Sequence, residues 1–334
     1  MDLNTLLKHT SRSLYLSVKM LPATMRPTFG LAYLLCRYAD TIADTHLISP
    51  EQRLHAIKHF AQAVRTRDIK TYKQLAQSIH GASENPYEAL LLTHLPDCLQ
   101  ALDQTPAALQ PYIYDVVEAV CEGMALDLQV FTTSTPQAPT ALQEVDDLTH
   151  YCRLMGGKPG LFWSQLIYHT QPVHMEKDLF FQLGQHIGDA LQIVNVLRDL
   201  PKDLQLGRCY FPQEQLSAYG LTPKDLTNPA SAKRFEPIKR YWLLWGKEKL
   251  QHATKYWAAL PKANLRTRAA VAWPILWTAD TFNKLAAQPD LLNPNKRVKV
   301  PRSTIYFTML VTPALWASNT IFNKWLHHKL NKLP

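Results

Sequence analysis

The chain has 334 residues, of which 46% are hydrophobic, so it can bury a substantial core and is not an intrinsically disordered protein. Its formal net charge of +9 favours an anionic substrate, an anionic membrane surface or nucleic acid as partner. We expect no nucleic acid, because no basic run is interleaved with aromatic residues. Only 11 glycines occur, and neither GxGxxG nor GxxxxGK[ST] is among the motifs, which removes the usual nucleotide-binding signatures.

The five cysteines are scattered without CxxC spacing, which fits reduced thiols in a cytoplasmic protein. The first 20 residues are interrupted by polar side chains, so they predict a helix of the fold rather than a signal peptide. We therefore expect a cytoplasmic protein, with a peripheral position on the inner face of the membrane as the alternative.

The periodicity is helical nearly everywhere. Apolar residues recur every three or four positions in nine segments, which predicts helices at 27–45, 51–66, 86–101, 107–131, 142–169, 176–200, 233–259, 265–287 and 303–330. No alternating strand pattern occurs, and the clearest loop, TTSTPQAPT at 132–140, is short. The pattern predicts one all-α domain over 1–334, a helical bundle whose central helices direct polar side chains into a cavity.

Two aspartate pairs have the spacing i, i+4, which places both carboxylates of a pair on one helix face. They are Asp40 with Asp44 and Asp199 with Asp203, each flanked by apolar residues that indicate a position against the interior. Unpaired charge is costly there, and Mg²⁺ would compensate it while binding a diphosphate. The pairs thus predict two facing helices around a Mg²⁺–diphosphate cavity; the alternative is a structural salt-bridge network.

Phosphate-binding side chains surround the first pair. Ser11, Arg12 and Ser13 supply two hydroxyls and a guanidinium, and Arg26 and Arg37 add two more guanidinium groups, which match phosphate oxygens bidentately. Arg37 lies three residues before Asp40, so an intrahelical salt bridge with Asp40 or Asp44 is the competing interpretation.

Near the second pair, Gln192, Asn195 and Arg198 precede Asp199 at helical spacing. Neutral amides on a buried stripe need hydrogen-bond partners, which a substrate, a metal-bound water or other helices could supply. Pro201 lies between Asp199 and Asp203 and lacks the N–H that the carbonyl of Leu197 would accept, so we expect it to kink or loosen this helix.

The segment 303–330 is predicted as a hydrophobic C-terminal helix. Its apolar part, 304–322, is interrupted by Pro313 and hydroxyl residues, and basic residues flank it on both sides. It is read as a final packed helix of the bundle; peripheral membrane contact and a transmembrane anchor are the alternatives.

Six strings follow one another in the order and approximate spacing of a single family: TSRS, MR…YLLCRYADTIAD, GMALDL, YCRLMGG, ALQIVNVLRDLPKDL and GRCYFP. On these strings the chain resembles the squalene and phytoene synthases, head-to-head trans-isoprenyl diphosphate synthases, and most closely the squalene synthases. The resemblance implies an isoprenoid-synthase-type bundle. It also implies that Ser11, Arg12, Ser13 and Arg37 bind diphosphate, that the four aspartates bind Mg²⁺, and that further active-site positions are Tyr33, Tyr151, Gln192, Asn195 and Arg208.

The implied activity is that of a transferase that condenses two farnesyl diphosphates through presqualene diphosphate to squalene, with NADPH as reductant, in a protein we expect to be a monomer. Tyr151 is assigned to proton removal or cation stabilisation, with a core aromatic as the alternative. Lys299 and Arg302, in RVKVPRS at 297–303, are assigned to NADPH, or else form a basic loop. Phytoene, dehydrosqualene or hydroxysqualene production remains open, as does a non-catalytic assembly or binding relative. Lys158 and Pro159 replace apolar residues of the family pattern and bear on chain length.

Overall fold

The computed structural model describes residues 3–10, 14–45, 47–68, 70 and 86–332. Ser11, Arg12 and Ser13 lie outside the described residues. The chain is folded into helices with one very short parallel strand pair, Thr140–Ala141 (β1) beside Arg208–Cys209 (β2). The prediction of an all-α fold is confirmed. Strands of two residues are too short to produce an alternating pattern, which is why the sequence did not indicate them.

The helices belong to two compact units, which are described one at a time. The first comprises Met1–Thr132 with Gln165–Thr170. Its helices are Leu3–Thr10 (α1), Leu14–Met20 (α2), Arg26–Asp44 (α3), Pro50–Thr66 (α4), Pro86–Thr93 (α5), Leu95–Gln104 (α6) and Gln110–Val130 (α7). Two expectations from the sequence stay predictions. One is that a single domain spans 1–334, and the other is that the two aspartate pairs face one cavity.

In the first unit, α3 packs against α1, α4 and α7. Its buried face includes Leu34, Leu35, Tyr38 and Ile42, and the Tyr38 ring stacks on Phe60 of α4 with 4.6 Å between centroids. The next helix begins at a capping box, in which the Ser49 hydroxyl accepts from the Gln52 N–H at 3.2 Å. These contacts fix the position of α3, the helix that carries the first aspartate pair.

The second unit comprises Thr133–Ser164 and Gln171–Pro334. A π-helical turn, Arg153–Gly157, and two 3₁₀ turns, Asp225–Thr227 and Pro229–Ser231, accompany its helices. These are Val145–Cys152 (α8), Lys158–Thr170 (α9, whose last residues belong to the first unit), Lys177–Gln205 (α10), Gln213–Ala218 (α11), Ala232–Gln251 (α12), Ala253–Ala259 (α13), Leu265–Ala286 (α14), Arg302–Ala317 (α15) and Asn319–Leu330 (α16).

Helix α10 carries the second aspartate pair, and it continues through Pro201 to Gln205. Proline therefore does not end this helix, and Asp199 and Asp203 retain helical spacing. Glycines let the π-helical turn approach α10 closely: a Cβ on Gly156 would lie 2.3 Å from the carbonyl oxygen of Gly188. Only glycine fits such backbone contact, so the GG of YCRLMGGKPG fixes the position of α10. Lys158 and Pro159 form the first turn of α9.

The predicted segment 303–330 is two helices, because Ser318 is extended and begins α16. Both helices pack on α14. Among the helices of the described ranges, none is long and apolar enough to cross a membrane.

Candidate active site

One face of α3 carries Tyr33, Arg37, Asp40 and Asp44, each about one turn from the next. The Tyr33 hydroxyl donates to the carbonyl oxygen of Thr10 at 2.9 Å. Thr10 is the first residue of TSRS, so this bond ties the main chain directly before Ser11 to the face that carries the first aspartate pair. The structure thus brings together the described sequence-predicted residues of this unit; Arg26 lies apart and donates to the carbonyl oxygen of Leu21 at 2.9 Å.

Arg37 is half-buried and binds two carboxylates at once. Its Nη1 donates to Asp40 on its own helix, and its Nη2 donates to Glu88 of α5. Burial lowers the pKa of Arg37, but Asp40 and Glu88 outweigh this effect and raise the pKa above its ordinary value. The salt bridge to Asp40 that the spacing allowed is present. Glu88 was not predicted, because helical spacing relates only neighbouring residues on one helix.

The aspartates of the first pair differ in exposure. Asp40 is half-buried and Asp44 is exposed, while the intervening Thr41, Ile42 and Ala43 are buried. The apolar flanks are therefore inside, as expected, but the carboxylates lie at the boundary with solvent because they occupy the last turns of α3. The neighbouring Cys36 is not a thiolate nucleophile, since burial and then the Asp40 carboxylate raise its pKa to about 12.

On α10, the polar stripe consists of Gln192, Asn195, Asp199 and Asp203, all half-buried. The Asn195 amide donates to Gln192 Oε1 at 3.4 Å. Arg198 forms a fork on Asp199, with Nε 3.0 Å from Oδ1 and Nη2 2.5 Å from Oδ2. This planar pairing is the arrangement in which a guanidinium recognises a carboxylate or a phosphate.

A second arginine reaches the same carboxylate. Arg297 Nη2 lies 3.7 Å from Asp199 Oδ1. Arg297 comes from RVKVPRS, the basic string in which Lys299 and Arg302 were singled out. Those two side chains are exposed, and in the described ranges neither forms an ion pair. Arg297 is thus the residue of this string that lies beside a predicted site residue, and the assignment of Lys299 and Arg302 to NADPH stays a prediction.

Tyr151 of α8 is buried and stacks on Tyr210, with centroids 4.6 Å apart and planes at 26°. Tyr210 follows β2 directly, and β2 contains the half-buried Arg208, paired in register with Thr140. The short strand pair thus positions both Tyr210 and Arg208. An aromatic pair of this kind offers ring faces to a cation and excludes water, so burial of Tyr151 suits both its core and its chemical interpretation.

One turn before Gln192 on α10, Arg153 of the π-helical turn clamps the fully buried Asp189. Its Nε lies 3.0 Å from Oδ1 and its Nη2 2.7 Å from Oδ2. Burial raises the pKa of Asp189, and the hydrogen bonds and charge of Arg153 oppose that rise. The sequence contains no spacing that relates these two residues. Their pair anchors α10 to the segment that precedes α9.

The donor sets fit magnesium. Each aspartate pair supplies carboxylate oxygens one helical turn apart, and Mg²⁺ takes few protein carboxylates, completing its coordination with water and substrate phosphate. Within the described part of the chain, no three His, Cys, Asp or Glu side chains are grouped as ligands of one ion. Each pair also has an arginine on its first carboxylate, Arg37 on Asp40 and Arg198 on Asp199.

Comparisons with known proteins agree with this chemistry. The family model described as squalene/phytoene synthase matches residues 7–304. A bifunctional lycopene cyclase/phytoene synthase of Podospora anserina is 30% identical over 249 residues, which are 72% of this chain and 39% of that protein. The chain therefore spans about two fifths of that relative. The presqualene diphosphate synthase of Zymomonas mobilis is 26% identical over 303 residues, covering 90% of this chain and 88% of that one.

Among solved structures, a ligand complex of TcSQS superposes with a TM-score of 0.77 at 18% identity, covering 99% of this chain and 96% of that one. At such identity the likeness shows the fold. The isoprenoid-synthase-type fold expected from the motifs is thus confirmed. The names of the two relatives divide between phytoene and presqualene diphosphate synthases, so they do not agree on one final product.

Proposed function

The chain belongs to the squalene/phytoene synthase family, and from this premise we propose that it condenses two farnesyl diphosphates head to head into presqualene diphosphate and converts that intermediate to squalene. The family's enzymes are prenyltransferases acting on prenyl diphosphates. The observation that carries the proposal for this chain is the repeated unit of an i, i+4 aspartate pair with an arginine on its first carboxylate.

The proposed reaction begins with cleavage of the C–O bond between an allylic carbon and its diphosphate. Asp40 with Asp44 and Asp199 with Asp203 would hold Mg²⁺, which would neutralise the charge of the departing diphosphate. The chain's own contribution is fork-shaped donors beside those carboxylates: Arg37 and Arg198 bind carboxylate oxygens now, and both can turn a guanidinium edge to phosphate oxygens. Tyr33 positions the main chain that leads into Ser11, Arg12 and Ser13.

The allylic cation is then attacked by the double bond of the second substrate, and loss of a proton closes a cyclopropane ring. Tyr151 and Tyr210 suit this step because their stacked rings offer π-electron faces to positive charge and keep water away. A second C–O cleavage and a rearrangement follow. NADPH would supply the hydride that converts the rearranged cation to squalene, and the exposed cations Lys299 and Arg302 would hold the phosphates of that cofactor.

The second candidate is loss of a proton instead of hydride addition, which gives a conjugated triene of the phytoene or dehydrosqualene type; addition of water gives hydroxysqualene. The phytoene synthase name of the relative at 30% identity favours the triene. All candidates share the first condensation and the metal site. A non-catalytic assembly protein is disfavoured because all four aspartates and their arginines are present.

The test is incubation of purified protein with farnesyl diphosphate and Mg²⁺, with and without NADPH, followed by identification of the lipid product. We expect presqualene diphosphate without NADPH and squalene with it. Chelation of Mg²⁺ should stop diphosphate release. No consumption of farnesyl diphosphate under any condition would overturn the proposed function, and a triene formed regardless of NADPH would replace squalene with the second candidate.

A further inference from the structure

Helix α15 has its hydroxyl face inside and its apolar face outside. Thr308 and Thr312 are buried, and the Trp273 Nε1 of α14 donates to Thr312 Oγ1 at 2.8 Å. Thr308 and Thr312 in turn donate to the carbonyl oxygens of Thr304 and Thr308 at 2.8 and 2.6 Å. The hydroxyl groups of α15 thus have hydrogen-bond partners on the buried side of the helix. The large apolar residues lie on the opposite side.

Those outward residues are Tyr306, Phe307 and Leu310, which are 65%, 57% and 76% exposed, the highest values for large hydrophobic side chains in the described ranges. A surface helix normally places its apolar stripe toward the core. The Phe307 ring meets Trp325 of α16 edge to face at 6.5 Å, and the exposed Ile321 lies one turn before Trp325. We call Tyr306, Phe307, Leu310, Ile321 and Trp325 the apolar patch.

The segment of the chain that carries this patch is rich in positive charge. Residues 291–334 contain seven Lys and Arg and no Asp or Glu, a charge of +7. The remaining 290 residues carry 36 − 7 = 29 Lys and Arg against 27 Asp and Glu, a charge of only +2. Three of the seven cations pair with acids: Lys296 with Asp290, Arg297 with Asp199 and Lys329 with Asp280. Arg302, one turn before Tyr306, and Lys324, adjacent to Trp325, form the cationic rim of the patch. Both side chains are exposed, and neither forms an ion pair with any described residue.

We propose that the apolar patch and its cationic rim are the surface by which the protein binds the face of an anionic lipid bilayer. Contiguous exposed apolar residues mark an interaction site. The exposed cations Arg302 and Lys324 complement lipid phosphates, whereas the same cations on a second copy of this surface would repel them. Tyr306 and Trp325 are side chains that favour the boundary between headgroups and acyl chains. Helices α15 and α16 lie in that plane on their apolar sides, and the rest of the protein stays in water.

The phosphates of NADPH and those of lipid headgroups offer one ligand chemistry to Arg302, and apolar residues separate the two sources. A soluble dinucleotide has no use for exposed Phe307 and Leu310, while insertion into a bilayer depends on them. The experiment therefore changes apolar and charged residues separately and contains neither substrate nor NADPH. Absence of vesicle binding would therefore overturn this surface without affecting the proposed function. Absence of catalytic activity would overturn the proposed function without affecting this surface.

Full-length protein is floated with vesicles of phosphatidylcholine alone or with phosphatidylglycerol added. We expect binding to the anionic vesicles that weakens as salt is raised. Phe307→Ser with Leu310→Ser should lower the partition coefficient at least about tenfold. Lys324→Gln should lower it about fivefold on anionic vesicles only, the effect of one cation near the surface. The matched control is Tyr219→Ser with Leu244→Ser, two exposed hydrophobic residues elsewhere in the same unit.

Circular dichroism and the melting temperature verify that each variant is folded, and sedimentation velocity measures its oligomeric state. Absence of binding to anionic vesicles would overturn the proposal, as would equal binding by the Phe307 and Leu310 variant. If that variant instead converted a dimer to a monomer without changing vesicle binding, the patch would be an interface between copies of this chain and the proposal would be wrong.

Discussion

The guanidinium of Arg297 lies 3.7 Å from the Asp199 carboxylate, so the basic string that precedes α15 reaches the aspartate that begins the second pair. Arg198 already occupies both oxygens of that carboxylate. Of the two arginines beside this predicted magnesium ligand, Arg297 is more exposed than Arg198 and lies farther from the carboxylate. If Asp199 holds Mg²⁺, we therefore expect Arg297 to bind an oxygen of the diphosphate.

Arg297→Gln should lower kcat/KM for farnesyl diphosphate about tenfold or more, because it removes a charged donor to a phosphate oxygen. The effect should fall mainly on KM if Arg297 binds substrate before bond cleavage. Arg240→Gln, at an exposed arginine of α12, is the control and should match the unchanged protein. Equal kinetics for the two variants would mean that Arg297 merely neutralises Asp199.

If the aspartates bind Mg²⁺, their substitution should reduce activity much more than it affects folding. Asp40→Ala and Asp199→Ala should each reduce diphosphate release at least about a hundredfold, because each removes a ligand that bound Mg²⁺ requires. Helical circular dichroism should be preserved, since both carboxylates are only half-buried. Asp103→Ala, at an exposed carboxylate that pairs with Arg67, is the control. Near-normal turnover by either site variant would favour the salt-bridge interpretation.

Arg37 and Arg65 form a natural comparison, because each arginine contacts two carboxylates and only Arg37 lies on the face with Tyr33 and Asp40. Lysine keeps the charge but loses the fork. Arg37→Lys should lower kcat/KM about tenfold or more while the melting temperature changes little, and Arg65→Lys should change neither. A fall in melting temperature with unchanged kinetics would assign Arg37 to stability alone.

The Arg153–Asp189 clamp predicts a pH-dependent loss of stability. Arg153→Met leaves a buried carboxylate without its partner, which we expect to cost about 2–3 kcal/mol at neutral pH, below the range for fully buried pairs because Arg153 is partly screened by solvent. Burial then raises the pKa of Asp189 further, because Arg153 no longer opposes the rise and Lys249 opposes it only in part. When the folded-state pKa of a carboxyl group lies above its unfolded value, the group contributes stability that is fully present below about pH 4. That contribution is lost as the pH rises through the folded-state pKa. The variant should therefore recover toward the parent as pH falls.

Urea unfolding of both proteins between pH 7 and pH 5 measures this recovery as the difference in free energy. His186 and Lys249 also face Asp189. In the parent, burial and then Lys249 lower the pKa of His186 to about 4, so His186 is neutral across that window there. Adding Asp189→Asn to Arg153→Met removes the buried charge and should restore part of the stability at pH 7. A deficit that stays constant with pH would point to lost packing instead.

What the sequence could predict was set by distance along the chain. Spacing placed Tyr33, Arg37 and Asp40 on one face of α3, because helical periodicity relates residues one turn apart. It could not reveal Glu88, Arg297 or the Arg153–Asp189 pair, which depend on packing between helices. α10 continues past Pro201, and the expected kink or loosening at that proline stays a prediction. The six ordered strings identified the family where physical spacing alone left a salt-bridge network open.

The final prediction decides the product. If the enzyme makes squalene, farnesyl diphosphate with Mg²⁺ alone should accumulate presqualene diphosphate or release alcohols and trienes, and NADPH should redirect the flux to squalene. Lys299→Ala with Arg302→Ala should raise the Kd for NADPH about tenfold or more, measured by cofactor fluorescence without vesicles. The reason is that the NADPH phosphates lose two cations that form no ion pair with any described residue. The condensation to presqualene diphosphate should continue in that variant. Lys262→Ala with Arg266→Ala removes two exposed cations elsewhere and should leave both readouts unchanged. A product profile that ignores NADPH would keep the family and the metal ligands but replace hydride transfer with proton loss or water addition as the last step.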